Sequence, residues 1–140
     1  GVPVVQITTG RTCHLDAHMI AHTLAWVFEN KTRLLIIENV GNLVCPSEYD
    51  LGEDMMVLLM SVTEGDEKPL KYRPIFHASD ALVINKTDLA GHTEFDMQRA
   101  KKNALSVNPE LRIFETSCVS ETGLGDWTGF LLERLSCKTT

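Results

Sequence analysis

Residues 33–40, RLLIIENV, form a near-continuous apolar run closed by an acid, and similar runs recur at residues 55–62 (MMVLLMSV) and 80–85 (DALVIN). Runs this short and this uniformly apolar predict strands buried on both faces, the habit of parallel sheets. Residues 2–7 (VPVVQI) and 111–117 (LRIFETS) predict two more strands. Apolar positions at helical spacing predict helices over residues 16–30, with an acid in the first turn, over 94–107 and over 126–135. The stretch GNLVCPSEYDLGE reads as a loop, and the polar TEGDEKPLKYRP separates the two middle strands. Strands alternating with helices imply an α/β parallel sheet. The sequence carries no repeat, low-complexity tract or linker. Ligands of such sheets sit outside the carboxyl ends of the strands, which directs attention to Glu38, Asn85 and Ser117.

Composition narrows the picture. A chain of 140 residues with 44% hydrophobic content suits one domain with one core. The net charge of −6 gives no electrostatic reason to bind nucleic acid or an anionic membrane. The longest strongly apolar run, MMVLLM, falls far short of the roughly 18 residues a membrane span needs, and the opening GVPVVQ does not read as a charged leader before an apolar stretch. Four cysteines in irregular places are unlike a disulfide framework and suit a reducing cytosol.

Two segments carry guanine chemistry. VINKTDL places Asn85, Lys86 and Asp88 just after a buried strand. A carboxylate there accepts two hydrogen bonds, from N1–H and the exocyclic amino group of guanine. Adenine lacks that amino group, so the wrong base leaves the site's polar groups unsatisfied. Asn85 would tie neighbouring loops together, and the Lys86 stem would lie along the base. ETSCVSETGLG follows the next strand, where backbone N–H groups around Ser117 and Cys118 can receive the guanine carbonyl oxygen. The plainer readings are a polar strand-to-helix turn and a Ser/Gly-rich turn before the last helix. Upstream, Glu38 ends a strand and Gly41 follows three residues later, the layout of a turn that senses Mg²⁺ and a γ-phosphate.

Metal chemistry is concentrated in TCHLDAHMIAHTL, residues 12–24. Helical residues four apart differ by about 40° and about 6 Å of rise, so His18 and His22 can hold one ion between them. His14 and His22 would lie roughly 12 Å apart on one helix, too far for a single ion, so either the site is dinuclear or His14 belongs to the preceding loop beside Cys13. Cys13 lies near a helix N-terminus, where thiolate is favoured, and Cys45 offers a second thiolate. Thiolate with imidazole suits Zn²⁺ or Ni²⁺ and not Mg²⁺ or Ca²⁺. A lone helical histidine is usually ordinary surface or core, and His22 is the member closest to that description.

Taken together, VVQITTGRTCHLDAHMIAHTL, IIENVGNLVCPSEYDLGE, LMSVTEGDEKPLKY, VINKTDL and SCVSETGLGDW resemble the HypB family of hydrogenase nickel-incorporation GTPases along nearly the whole chain. ENVGNLVCP and TG..CHLDA separate it from the related urease accessory GTPases, whose metal motif is Cys-Pro-His. The resemblance implies a P-loop NTPase fold of the dimeric, nucleotide-switched (SIMIBI) class, with GTP or GDP and Mg²⁺ as ligands. It implies interfacial metal ligands at Cys13, His14 and Cys45, with His18 and His22 as extra ligands, and guanine specificity from Asn85, Lys86 and Asp88. It also implies delivery of Ni²⁺ to the large subunit of nickel-iron hydrogenase with a second accessory protein, in the cytoplasm. Two features depart from the pattern. No glycine is followed by lysine, so the phosphate loop G-x-x-x-x-G-K-[ST] is missing, and Arg11 and Thr12 replace the usual lysine and glycine. The expectation is a single GTPase domain over residues 1–140, the carboxyl-terminal portion of a GTPase and inactive alone. The rival expectation is a non-catalytic module that dimerises around, or stores, Zn²⁺ or Ni²⁺.

Overall fold

The computed structural model describes residues 2–10 and 14–137. They divide into two compact units, Gly1–Asp54 and Met55–Thr140.

In the first unit, helix α1 (Ala17–Ala21) starts where Asp16 stays extended and its carboxylate accepts from the Met19 N–H at 2.8 Å, satisfying an amide the first turn leaves orphaned. The helix expected over 16–30 is interrupted. The Thr23 hydroxyl donates to the Ile20 carbonyl at 2.7 Å, a local bond that competes with the helical ladder, and helix α2 (Leu24–Glu29) begins afresh. Leu15, Ile20, Val27 and Pro46 are buried. Residues 2–7 and 33–40 are not strands, against expectation. A strand exists only when its N–H and C=O groups find a ladder, and these segments lie outside the described sheet. Val2, Val4 and Ile36 are correspondingly about four-fifths exposed, at 83%, 80% and 77%. Glu38 therefore ends an apolar run that is not a strand.

The second unit holds a three-stranded parallel sheet in the order β1 (Val57–Ser61), β2 (Ala81–Asn85), β3 (Arg112–Glu115). Val57 aligns with Ala81, and Ala81 with Arg112. Residues 81–84 of the central strand are buried throughout, as the unbroken apolar run requires. The crossover from β1 to β2 contains helices α3 (Lys68–Lys71) and α4 (Arg73–Ala78), both absent from the expected elements. Pro69 and Pro74 sit in their first turns, where a missing N–H costs nothing. Helix α5 (Met97–Val107) is capped by Asp96 and packs Ala100 and Ala104 into the core, and α6 (Leu124–Cys137) closes the chain. Lys101 pairs with Glu115. No described helix is long and apolar enough to cross a membrane.

Asp66, 4% exposed, fastens the β1–α3 loop to α5. Its carboxylate accepts two bonds from the Arg99 guanidinium, both 2.8 Å, and one from the Asp96 N–H at 2.9 Å. These, the Arg99 bonds foremost, hold its carboxyl below the ordinary range against the opposing effect of burial. The stabilisation is therefore complete above about pH 4 and is lost as pH falls through the folded-state value. Asp66→Asn is expected to lower the melting temperature by several degrees at pH 7, with the deficit shrinking as pH drops below about 4. A deficit independent of pH in a thermal-denaturation series would contradict this.

Candidate functional site

The carboxyl ends of β2 and β3 bring together the two segments in which guanine chemistry is expected. Asn85 ends β2, and Lys86 turns the chain with left-handed backbone (φ 62°, ψ 36°) into a 3-10 turn over Thr87–His92. Thr87 clamps the two loops: its N–H and its hydroxyl each donate to the Thr116 carbonyl at 3.1 Å. The Asn85 side-chain oxygen accepts from the Thr116 hydroxyl at 3.2 Å, a bond that joins the end of β2 to the residue after β3. The Cys118 thiol lies 3.9 Å from the same oxygen.

Ser117 is fully buried and uses its hydroxyl to capacity. It donates to Asp88 Oδ1 at 2.5 Å and accepts from the N–H groups of Val119 and Ser120 at 3.2 and 3.1 Å. One donor and two acceptor directions are all a hydroxyl has. The Asp88 carboxylate is thereby fixed in rotation, with Oδ2 taking no hydrogen bond among the described residues. The Ser117 N–H already donates to the Thr122 carbonyl at 3.0 Å. Of the two amides expected to receive a guanine oxygen, the one at Cys118 makes no bond among the described residues. Gly123 completes the turn at φ +70°, in close approach to the Glu115 carbonyl. Sequence reading missed Thr87 and Thr116, whose clamp depends on two loops meeting.

In the first unit, His18 and His22 point at each other across one turn of α1, with Nε2 to Nε2 3.1 Å and the rings near perpendicular at 81°. With metal–nitrogen bonds near 2.0–2.1 Å, two nitrogens on one ion stand about 2.9 Å apart at a right angle and about 3.3 Å at the tetrahedral angle. The two nitrogens share a hydrogen bond, and their separation also falls in the range one chelated ion would set. Both histidines are exposed. His14 is not part of the helix; it stacks on Tyr49 with ring centres 3.7 Å apart and planes 12° from parallel. Cys45 opens a 3-10 turn, Cys45–Glu48, and its N–H donates to Asn42 Oδ1 at 2.9 Å, an oxygen shared with the Val44 N–H at 3.0 Å. Asn39 Oδ1 accepts from the Leu15 N–H at 3.0 Å and from the Val40 N–H at 2.8 Å. The turn after Glu38 is thus bonded to the residue following His14. Gly41 is exposed, and a Cβ there would meet nothing within 4 Å. Cys13 lies outside the described residues, and among those described no cluster of three metal-binding side chains assembles.

A model of the CobW/HypB/UreG nucleotide-binding domain matches residues 1–115. The chain is 50% identical over 131 residues to the hydrogenase maturation factor HypB of Azotobacter vinelandii, covering 94% of this chain and 43% of that protein. It is 44% identical over 138 residues to the hydrogenase/urease maturation factor HypB of Helicobacter pylori, covering 96% and 57%. The chain therefore spans about half the length of these curated relatives. Among solved structures, HypB from Archaeoglobus fulgidus superposes with a TM-score of 0.86 at 44% identity, covering 90% of this chain and 67% of that one. HypB from Helicobacter pylori in complex with nickel gives 0.91 at 42% identity, covering 96% and 64%. Family model, sequence and fold agree: the chain belongs to the CobW/HypB/UreG nucleotide-binding family, and within it to the HypB branch.

Proposed function

We propose that this chain is the guanine-reading and metal-holding part of a GTPase that carries nickel for hydrogenase maturation. The observation that carries the reading is the chelate-spaced pair His18 and His22, in the same unit as His14 and Cys45, on a chain whose relatives are HypB maturation factors. One relative was solved in complex with nickel. In this reading Asp88 accepts from guanine N1–H and the exocyclic amino group, and Lys86 lies along the base. Asn85 and Ser117 hold the two loops, and the Cys118 N–H meets the guanine carbonyl oxygen.

Nickel is the cargo. Cys13, His14 and Cys45 bind it, His18 and His22 add imidazoles, and a second copy of the chain completes the site at a dimer interface. Glu38 carries an exposed carboxylate that fits a hard cation through water; bound Mg²⁺ would neutralise phosphate charge. Gly41 lets its backbone N–H approach the γ-phosphate. Cys45 lies seven residues beyond Glu38, so a turn that tightens on GTP pulls a metal ligand with it, and hydrolysis loosens it. Electrostatic stabilisation and water positioning carry the hydrolysis. Release is to a second accessory protein and the hydrogenase large subunit, in the cytoplasm.

Nickel titration of the full-length protein tests the metal half. A thiolate-to-nickel charge-transfer band is expected, weakened in Cys45→Ala because Cys13 still supplies a thiolate, with affinity falling about tenfold in the double substitution His18→Ala/His22→Ala. A nickel complex lacking that band, or one indifferent to Cys45→Ala, would contradict the assignment.

A further inference from the structure

The stacking of Tyr49 on His14 has no counterpart in the ligand set above. Tyr49 caps the 3-10 turn begun by Cys45, so one short piece of chain carries Cys45 at one end and the His14 stacking partner at the other. The rings lie 3.7 Å apart and 12° from parallel, so the imidazole is held face-on by an aromatic plane before any ion arrives. Asn39 adds a backbone tie at Leu15. An imidazole free to rotate must be ordered on binding; one already held loses less. Outer-shell groups that hydrogen-bond a metal-bound histidine typically change affinity 10–100-fold when removed, and a stacked ring restrains the same rotation. A coordinated imidazole is also electron-poor, which favours its contact with an electron-rich phenol face.

We propose that Tyr49 is a positioning residue for the metal site: its ring fixes the His14 imidazole relative to Cys45, and so sets nickel affinity without touching the ion. The inference rests on the reading of His14 and Cys45 as ligands.

The test is a double-mutant cycle on the full-length protein, with Ni²⁺ as probe and the charge-transfer band and dissociation constant as readouts. Tyr49→Leu is expected to weaken nickel about tenfold, and Tyr49→Phe, which keeps the ring, to stay within about twofold of wild type. In a His14→Ala background, Tyr49→Leu is expected to cost nothing more, because the contact it removes is already gone. Wild-type affinity in Tyr49→Leu overturns the inference. So does an undiminished loss in the His14→Ala background, which would mark a general effect on the fold. Both of these leave the ligand reading standing. Wild-type affinity in His14→Ala overturns the ligand reading and the inference with it.

Discussion

Asp88→Asn is expected to weaken guanosine diphosphate binding by about 10²- to 10⁴-fold in the full-length protein. In the proposed function the carboxylate accepts from two N–H groups of the base, and hydrogen bonds to a charged group are worth about 1.5–3 kcal/mol each. The new amide presents one acceptor and one donor, so one of the two bonds becomes a donor facing a donor. Xanthine has a carbonyl where guanine has its amino group. The amide then matches it, accepting from N1–H and donating to that oxygen. Preference for xanthosine diphosphate over guanosine diphosphate should therefore invert. The Ser117 hydroxyl donates to Asp88 Oδ1 and can donate equally to an amide oxygen, which keeps the side chain in orientation. Fluorescence titration with both nucleotides measures the inversion. Unchanged affinity for guanosine diphosphate would show that Asp88 does not read the base.

Gly123→Ala should destabilise the protein by about 3 kcal/mol. Two costs add. The left-handed backbone (φ +70°) penalises any residue with a Cβ by about 1–2 kcal/mol. The added methyl would stand 1.9 Å from the Glu115 carbonyl oxygen and 3.0 Å from its carbon, and overpacking of this kind costs about 1–3 kcal/mol. The obstacle is backbone at the last residue of β3, which cannot yield without disturbing the sheet. The strain reaches the proposed guanine site through the Ser117 N–H to Thr122 carbonyl bond, so nucleotide affinity should fall as well. Denaturant unfolding monitors the first effect; a change within about 0.5 kcal/mol would contradict the argument.

Legibility from sequence followed how local the determining physics was. Residues 80–85 read as a buried strand because a uniformly apolar run has one common solution, burial on both faces, and β2 adopts it. The histidine register of α1 was legible because helix geometry alone sets the His18–His22 separation. Residues 33–40 show the opposite case. Their composition satisfies a strand, but a strand also needs a neighbour to complete its ladder, and composition does not specify one. Helices α3 and α4 were hidden because four and six residues are too few to display a 3.6-residue period; Pro69 and Pro74 were the usable signal. Asn39 bonds across 24 residues of sequence and Tyr49 stacks on a distant histidine. No spacing rule announces either contact, and both emerge only when the segments fold together.

In the proposed function, nucleotide state and metal occupancy are coupled through the chain between Glu38 and Cys45. Nickel affinity of the full-length protein, measured once with a non-hydrolysable GTP analogue and once with GDP, tests it most directly. Coupling predicts tighter nickel with the analogue and looser nickel with GDP; equal affinities in the two states would contradict it.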